Sequence, residues 1–153
     1  MDTFEKMYNK ALRFLSYRPR SEKEVRERLR KAKTSEEIIE KIIIKLKEYN
    51  FLNDLEFAKS WVENRKKLNP KALRLIKLEL KQKGVSSNII EALKLKTEAD
   101  LGLARLITDR KVQKMKNLPK EEIQKKLYGF LARRGFNYDI IKQSVDEILK
   151  KGV

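Results

Sequence analysis

The 153 residues include no cysteine and no histidine. No disulfide framework is possible, and no Cys- or His-ligated metal site can be built. Nucleophilic catalysis that depends on Cys or His is excluded because the side chains are missing. Five scattered glycines cannot form a phosphate-cradling GxxxxGK[ST] loop. The longest apolar run, Ile42-Ile43-Ile44, is far too short to span a bilayer. The opening residues Met1-Asp2-Thr3-Phe4-Glu5 are mixed and acidic, unlike a secretion signal, so a cytoplasmic location is expected. The absence of cysteine fits a reducing compartment.

What is present in excess is positive charge. Lys and Arg number 38 against 22 Asp and Glu, a net charge of +16. Hydrophobic residues make up 41%, enough for a real core, so this is not a disordered polycation. Residues 1–53 carry 14 basic and 9 acidic side chains, residues 54–104 carry 11 and 7, and residues 105–153 carry 13 and 6. The charge therefore belongs to the whole folded body and not to a basic tail. It points to a polyanionic partner and argues against self-association, so a monomer is expected.

Apolar residues recur at helical spacing nearly throughout, and strand-like alternation is not sustained anywhere. Only five Gly and three Pro interrupt the chain, which suits helices joined by short turns. Ser21-Glu22-Lys23-Glu24, Thr34-Ser35-Glu36-Glu37 and Asn53-Asp54-Leu55-Glu56 read as helix starts in which a side-chain oxygen caps an amide and a Glu reaches back. Pro70 and Pro119 fit a first helical position, and Gly84 and Gly135 fit left-handed helix ends. These signals predict about nine helices, at roughly 2–17, 21–32, 35–49, 54–67, 70–83, 86–95, 97–112, 119–134 and 137–150.

An internal repeat underlies the pattern. Leu29, Leu80 and Leu131 are spaced by 51 residues, as are Val25, Ile76 and Leu127, and the pairs Ile38-Ile39, Ile89-Ile90 and Ile140-Ile141. Lys33, Gly84 and Gly135 share one turn position, and Pro19 and Pro70 share another. The expected fold is all-α, with tandem three-helix units over residues 1–53, 54–96 and 97–153. Val25, Leu29, Phe57, Trp61, Ile76, Leu80, Leu127 and Leu131 are the expected structural core, with Phe51 beside Phe57 and Trp61.

The same offset organises the charge. Arg74, Lys77 and Lys81 lie three and four residues apart beside the stripe Leu73, Ile76 and Leu80, and subtracting 51 gives Lys23, Arg26 and Arg30. The third unit loses most of the triplet, and its basic residues move to Arg133 and Arg134. The stretch 65–83 is the most one-sided, with Arg65, Lys66, Lys67, Lys71, Arg74, Lys77 and Lys81 among its cations and Glu79 alone against them. Any single lysine here reads as ordinary solvated surface. The repeated set reads as a face for a polyanion or an acidic protein, because uncompensated like charges repel until an anion relieves them. Tyr17, beside Arg18 and Arg20, is a candidate for stacking on a base or packing on a partner. Asp54, Glu56, Asp100 and Asp109 read as caps and surface charges, and no carboxylate pair suggests acid–base or metal chemistry.

Several segments resemble a known family. Residues Leu15 to Leu29, with the Arg18-Pro19-Arg20-Ser21 turn, resemble the opening of the bacterial recombination regulators of the RecX family. Residues Phe51 to Arg65, with Phe57-Ala58 and Trp61, are similar to that family's most distinctive segment. Leu78 to Val85, Leu131-Ala132-Arg133-Arg134-Gly135-Phe136 and Ile140-Ile141 extend the similarity from about residue 8 to about residue 149. Asn53 stands where the family usually has Asp, Lys33 where a turn Gly is common, and Asn69 where Gly often precedes Pro. The stretch 108–118, with Lys111, Lys114 and Lys116, matches no motif.

The resemblance implies a protein without enzymatic activity or cofactor. It would bind RecA, especially as a nucleoprotein filament on DNA, and inhibit its recombinase and ATPase activities. An elongated, curved array of three-helix units suits that role. The basic residues above, from Arg18 to Arg134, would then face RecA and single- or double-stranded DNA. The alternative is a stand-alone basic helical DNA- or RNA-binding protein. A carboxylate-dependent nuclease ranks well below both.

Overall fold

The structure is a computed structural model that describes residues 2–151; Met1, Gly152 and Val153, at the edges of the expected first and third units, lie outside the described residues. The described chain is all-α. Its nine helices are α1 (Thr3–Tyr17), α2 (Glu22–Lys31), α3 (Glu36–Glu48), α4 (Asp54–Leu68), α5 (Leu73–Gln82), α6 (Ser87–Ala92), α7 (Ala99–Val112), α8 (Lys120–Arg133) and α9 (Tyr138–Lys150). No described helix is long and apolar enough to cross a membrane.

The 51-residue offset is a repeat of backbone as well as of sequence. Lys33, Gly84 and Gly135 all adopt left-handed conformations, with φ of 61°, 81° and 90°. At each position the amide bonds back three residues, to Arg30, Lys81 and Ala132, at 2.8, 3.0 and 3.0 Å. The next amide bonds back five, from Thr34, Val85 and Phe136 to Leu29, Leu80 and Leu131, at 3.1, 3.0 and 3.3 Å. These paired bonds satisfy carbonyls that a helix end otherwise leaves open. A residue further on, Ser35, Ser86 and Asn137 cap the following helix, accepting from the amides of Ile38, Ile89 and Ile140 at 3.3, 3.3 and 3.0 Å. One local helix–turn–helix device thus occurs three times.

The cap expected at Thr34 therefore sits one residue later, at Ser35. Position 34 belongs instead to the apolar series completed by Val85 and Phe136, both buried. Thr34 is buried with them, and its hydroxyl has no hydrogen-bond partner among the described residues. Of the two other expected starts, the first holds in full and the second only as a cap, with no bond from the Asn53 amide back to Glu56 among the described residues. Ser21 and Glu24 form a reciprocal capping box, and Asn53 Oδ1 accepts from the Leu55 and Glu56 amides at 3.0 and 3.2 Å. The prolines are displaced from their expected role. Pro119, with ψ 149°, is the cap before α8, and Pro70 lies in the turn before α5, whose first residue is Leu73.

The chain divides into two compact units. One runs to Trp61 and takes up Glu79–Leu93; the other holds Val62–Leu78 and runs on from Lys94. In the first, α1, α2 and α3 pack pairwise around Met7, Tyr8, Ala11, Val25, Leu29, Ile39, Ile42, Ile43, Leu46 and Leu52. In the second, α7, α8 and α9 pack pairwise, burying Leu103, Ile107, Ile123, Leu127, Leu131, Ile141 and Val145.

The apolar repeat positions are core except for the first residue of each isoleucine pair, Ile38, Ile89 and Ile140, which is only partly buried. Val25, Ile76 and Leu127 are fully buried, as are Leu29, Leu80 and Leu131, and the second residue of each isoleucine pair is buried. Phe57 is also core, whereas Trp61 is only partly buried, its indole N–H donating to Glu79 at 3.1 Å. Phe51 departs from expectation: it is 55% exposed. It follows Asn50, which is left-handed at φ 58°, and precedes α4, so helical spacing does not govern where its ring points.

Candidate polyanion-binding surfaces

In the first unit the basic triplet rides on α2, whose amino end is held twice. Ser21 accepts from the Glu24 amide at 3.2 Å, and the Asp54 carboxylate accepts from the Glu22 amide at 2.8 Å. The cations so positioned are then neutralised inside the unit. Arg26 bonds Glu22 at 2.9 Å and both carboxylate oxygens of Glu40. Arg30 makes a fork on Glu36 at 2.7 and 3.2 Å. Glu40, and then Glu22, raise the Arg26 pKa against the opposing effect of burial. Burial pushes Glu22 up, but bonds from Lys47 and Arg26 outweigh it and hold its carboxyl below the usual range.

Lys23, the third member, is exposed; its ammonium donates to the Gln82 carbonyl at 3.1 Å and stands 4.0 Å from Glu27. Its stem closes over the α5–α6 turn: a Cβ built on Gly84 would lie 2.6 Å from Lys23 Cβ. Arg18 pairs with Glu24 at 2.5 Å. Arg20 lies 3.9 Å from the Phe14 ring centroid and donates to the Phe14 carbonyl at 3.2 Å. Beside them a groove of about 640 Å³ is lined in part by Tyr17, Phe51 and Phe57. Tyr17 is 77% exposed, as a stacking or partner contact requires.

In the second unit the cations are deployed differently. Arg74 donates to the Gly135 carbonyl at 2.9 Å, bracing the α8–α9 turn against the start of α5. That start is further tied by the Ala72 amide to the Arg134 carbonyl at 2.9 Å and by the Leu73 amide to the Asp100 carboxylate at 2.8 Å. Asp100 is 7% exposed, and burial raises its pKa despite the nearby charges of Arg74 and Lys77. Lys66, Lys67 and Lys77 form no salt bridge with the described residues, nor does Lys81 in the first unit. Arg65 and Lys71 each hold a partner.

Around Phe130 the second unit builds a cluster that the repeat offset does not show. Lys111 Nζ lies 4.1 Å from the ring centroid, Arg134 4.8 Å and Arg133 6.0 Å. Arg134 also bonds the Asn69 side chain and the Pro70 carbonyl, the latter at 3.4 Å, while Arg110 donates to the Lys67 carbonyl at 3.2 Å. The spacing of Phe130, Arg133 and Arg134 along the end of α8 is the only part of this legible in sequence. Lys111 reaches the ring only because α7 packs on α8.

The fold and these surfaces define a class: a tandem array of three-helix domains with a basic exterior. The family models for the RecX first, second and third three-helix domains match residues 8–46, 53–93 and 98–145. The chain belongs to the RecX family. It is 38% identical over 149 residues to the regulatory protein RecX of Bacillus subtilis, covering 96% of this chain and 56% of that protein. The corresponding protein of Prosthecochloris aestuarii is 35% identical, with 94% of both chains covered. The chain thus spans about half the length of the Bacillus relatives it matches and nearly all of the Prosthecochloris one. The crystal structure of RecX from Lactobacillus salivarius superimposes with a TM-score of 0.74 at 31% identity, over 94% of this chain and 95% of that one.

Proposed function

We propose that this chain binds RecA, above all as the RecA–single-stranded-DNA filament, and lowers its recombinase and ATPase activities. What carries the reading is family membership across all three helical domains, in relatives named regulatory proteins. The surface supports it, since Lys66, Lys67, Lys77 and Lys81 are cations without a salt-bridge partner among the described residues. A filament containing DNA offers the matching negative charge at regular intervals. The protein acts by binding rather than by chemistry, in the cytoplasm and as a monomer. The test is RecA-catalysed ATP hydrolysis on single-stranded DNA with this protein added below stoichiometry. The rate should fall, and an unchanged rate together with unchanged filament length would refute the proposal.

A further inference from the structure

We propose that the cluster around Phe130 is a contact site for single-stranded nucleic acid, with Lys111, Lys114, Arg133 and Arg134 on the phosphates and the apolar surface of Phe130 and Leu68 against the bases. This absorbs Lys111 and Lys114 of the stretch 108–118, which no family motif explains.

Three observations point there. First, the cations are not held in ion pairs. One concavity beside the ring, about 230 Å³, has Arg110, Lys111, Lys114 and Arg134 in its wall and no carboxylate; a second groove at the ring, which Arg133 and Lys111 line, also holds Glu121 and Glu122. Lys111, Lys114 and Arg133 form no salt bridge with the described residues. This is the reverse of the first unit, where Arg18, Arg26 and Arg30 each hold a glutamate.

Second, the cations are placed in advance. Arg134 and Arg110 are oriented by neutral acceptors, namely the Asn69 side chain and the Pro70 and Lys67 carbonyls. These fix the guanidinium groups without cancelling their charge. Lys111 is drawn over the Phe130 face. Binding an anion therefore costs less ordering of side chains than it would at mobile lysines.

Third, apolar surface adjoins the charge. Phe130 is half-buried, and Leu68, in the same wall, is 82% exposed. A single strand uses both features, because its phosphates meet cations while its unstacked bases lie on apolar or aromatic side chains. A duplex presents phosphates and leaves the apolar part unused. A run of acidic residues alone has no apolar counterpart to the bases.

The choice of single-stranded DNA rests on the filament-binding reading, and the experiment separates the two. Fluorescence anisotropy of a labelled oligothymidylate is measured without RecA, across a salt series, for the full chain and for Lys111→Gln/Lys114→Gln/Arg133→Gln. The triple variant should bind at least about tenfold more weakly at 0.1 M salt. Its slope of log K against log salt should be shallower by about 2, from three lost contacts at ~0.7 each. Lys6→Gln/Lys31→Gln/Lys41→Gln, which loses the same charge elsewhere, should bind within twofold of the parent. Circular dichroism checks folding, and Lys114→Gln/Arg133→Gln, both at exposed positions, serves if the triple variant is unstable. Equal binding by parent and variant overturns the proposal, as does a preference for duplex or equal competition by polyglutamate. If the oligonucleotide results hold while RecA hydrolysis is unaffected by the parent protein, the filament reading fails and this site stands.

Discussion

The Asp100 carboxylate accepts the Leu73 backbone amide at 2.8 Å, in the same way that Asp54 accepts the Glu22 amide 51 residues earlier in the repeat. In each case the helix that carries the basic triplet is capped by an aspartate from the first turn of a helix that opens the next repeat. The two sites differ in burial, since Asp100 is buried and Asp54 half-buried. Replacing Asp100 with Ala leaves a buried N–H unpaired and should cost about 1–3 kcal/mol. Asp54→Ala should cost less, about 1 kcal/mol or below, because water can reach the Glu22 amide. Urea denaturation of the two variants checks the order. Equal losses would show that burial does not set the difference.

Acid should destabilise the first unit through Glu22 and Glu24. Burial raises both carboxyls, but bonds from Lys47 and Arg26 to Glu22, and from Arg18 and the Ser21 amide to Glu24, hold both below the unfolded value of about 4.3. The folded state therefore binds these protons less readily than the unfolded chain. The stability they contribute is fully present above about pH 4.3 and is lost as pH falls through the folded pKa values. Burial shifts Asp54 and Asp100 upward, so they act in the opposite sense. The urea midpoint of Glu22→Gln should fall less steeply than the parent's between about pH 5 and 2. With no histidine, the parent should be nearly flat from about pH 6 to 8.

The left-handed turn position and the buried residue after it separate three substitutions by sign. Lys33 adopts φ 61° with a side chain that disfavours it, so Lys33→Gly should stabilise by about 0.5–1 kcal/mol. Gly84→Ala meets both the positive φ and Lys23 Cβ at 2.6 Å, and should destabilise by about 2 kcal/mol or more. Thr34→Val keeps the shape and removes the unpartnered buried hydroxyl, which should stabilise by about 1 kcal/mol. Thermal melts of the three proteins test the set.

The pairing pattern also ranks the cations for function. Lys66→Gln/Lys67→Gln/Lys77→Gln removes three charges that are uncompensated among the described residues, and should raise several-fold the concentration that half-inhibits RecA ATP hydrolysis. Arg30→Gln removes a charge already paired with Glu36, and should change that concentration by less than about twofold. The reverse ranking would place the functional face on α2.

What sequence revealed was what is encoded locally. The nine helices, the buried positions 25, 29, 76, 80, 127 and 131, and the left-handed turns depend on periodicity and on residues within about five of one another. What it missed depends on distant partners. Glu40 and Glu36 neutralise Arg26 and Arg30, Asp100 lies 27 residues from the amide it caps, and Lys111 meets Phe130 only through packing of α7 on α8. Spacing showed a triplet placed twice. It could not show that the first copy is largely consumed in ion pairs while part of the second is turned to bracing a turn. The Thr34 error has a different cause: two adjacent hydroxyl residues compete for one cap, and only positions 85 and 136 reveal which belongs to the core.

The two ways of holding a helix start have a consequence during synthesis. Helix α2 carries its own Ser21–Glu24 box and is capped as soon as its first turn exists. The corresponding residue before α5 is Ala72, whose amide waits for the Arg134 carbonyl, while Leu73 waits for Asp100 and Arg74 for Gly135. As the chain leaves the ribosome amino end first, the opening three helices can close with the Asp54 bond to the Glu22 amide still outstanding, whereas the amino end of α5 gains its last fastening only when residue 135 has emerged.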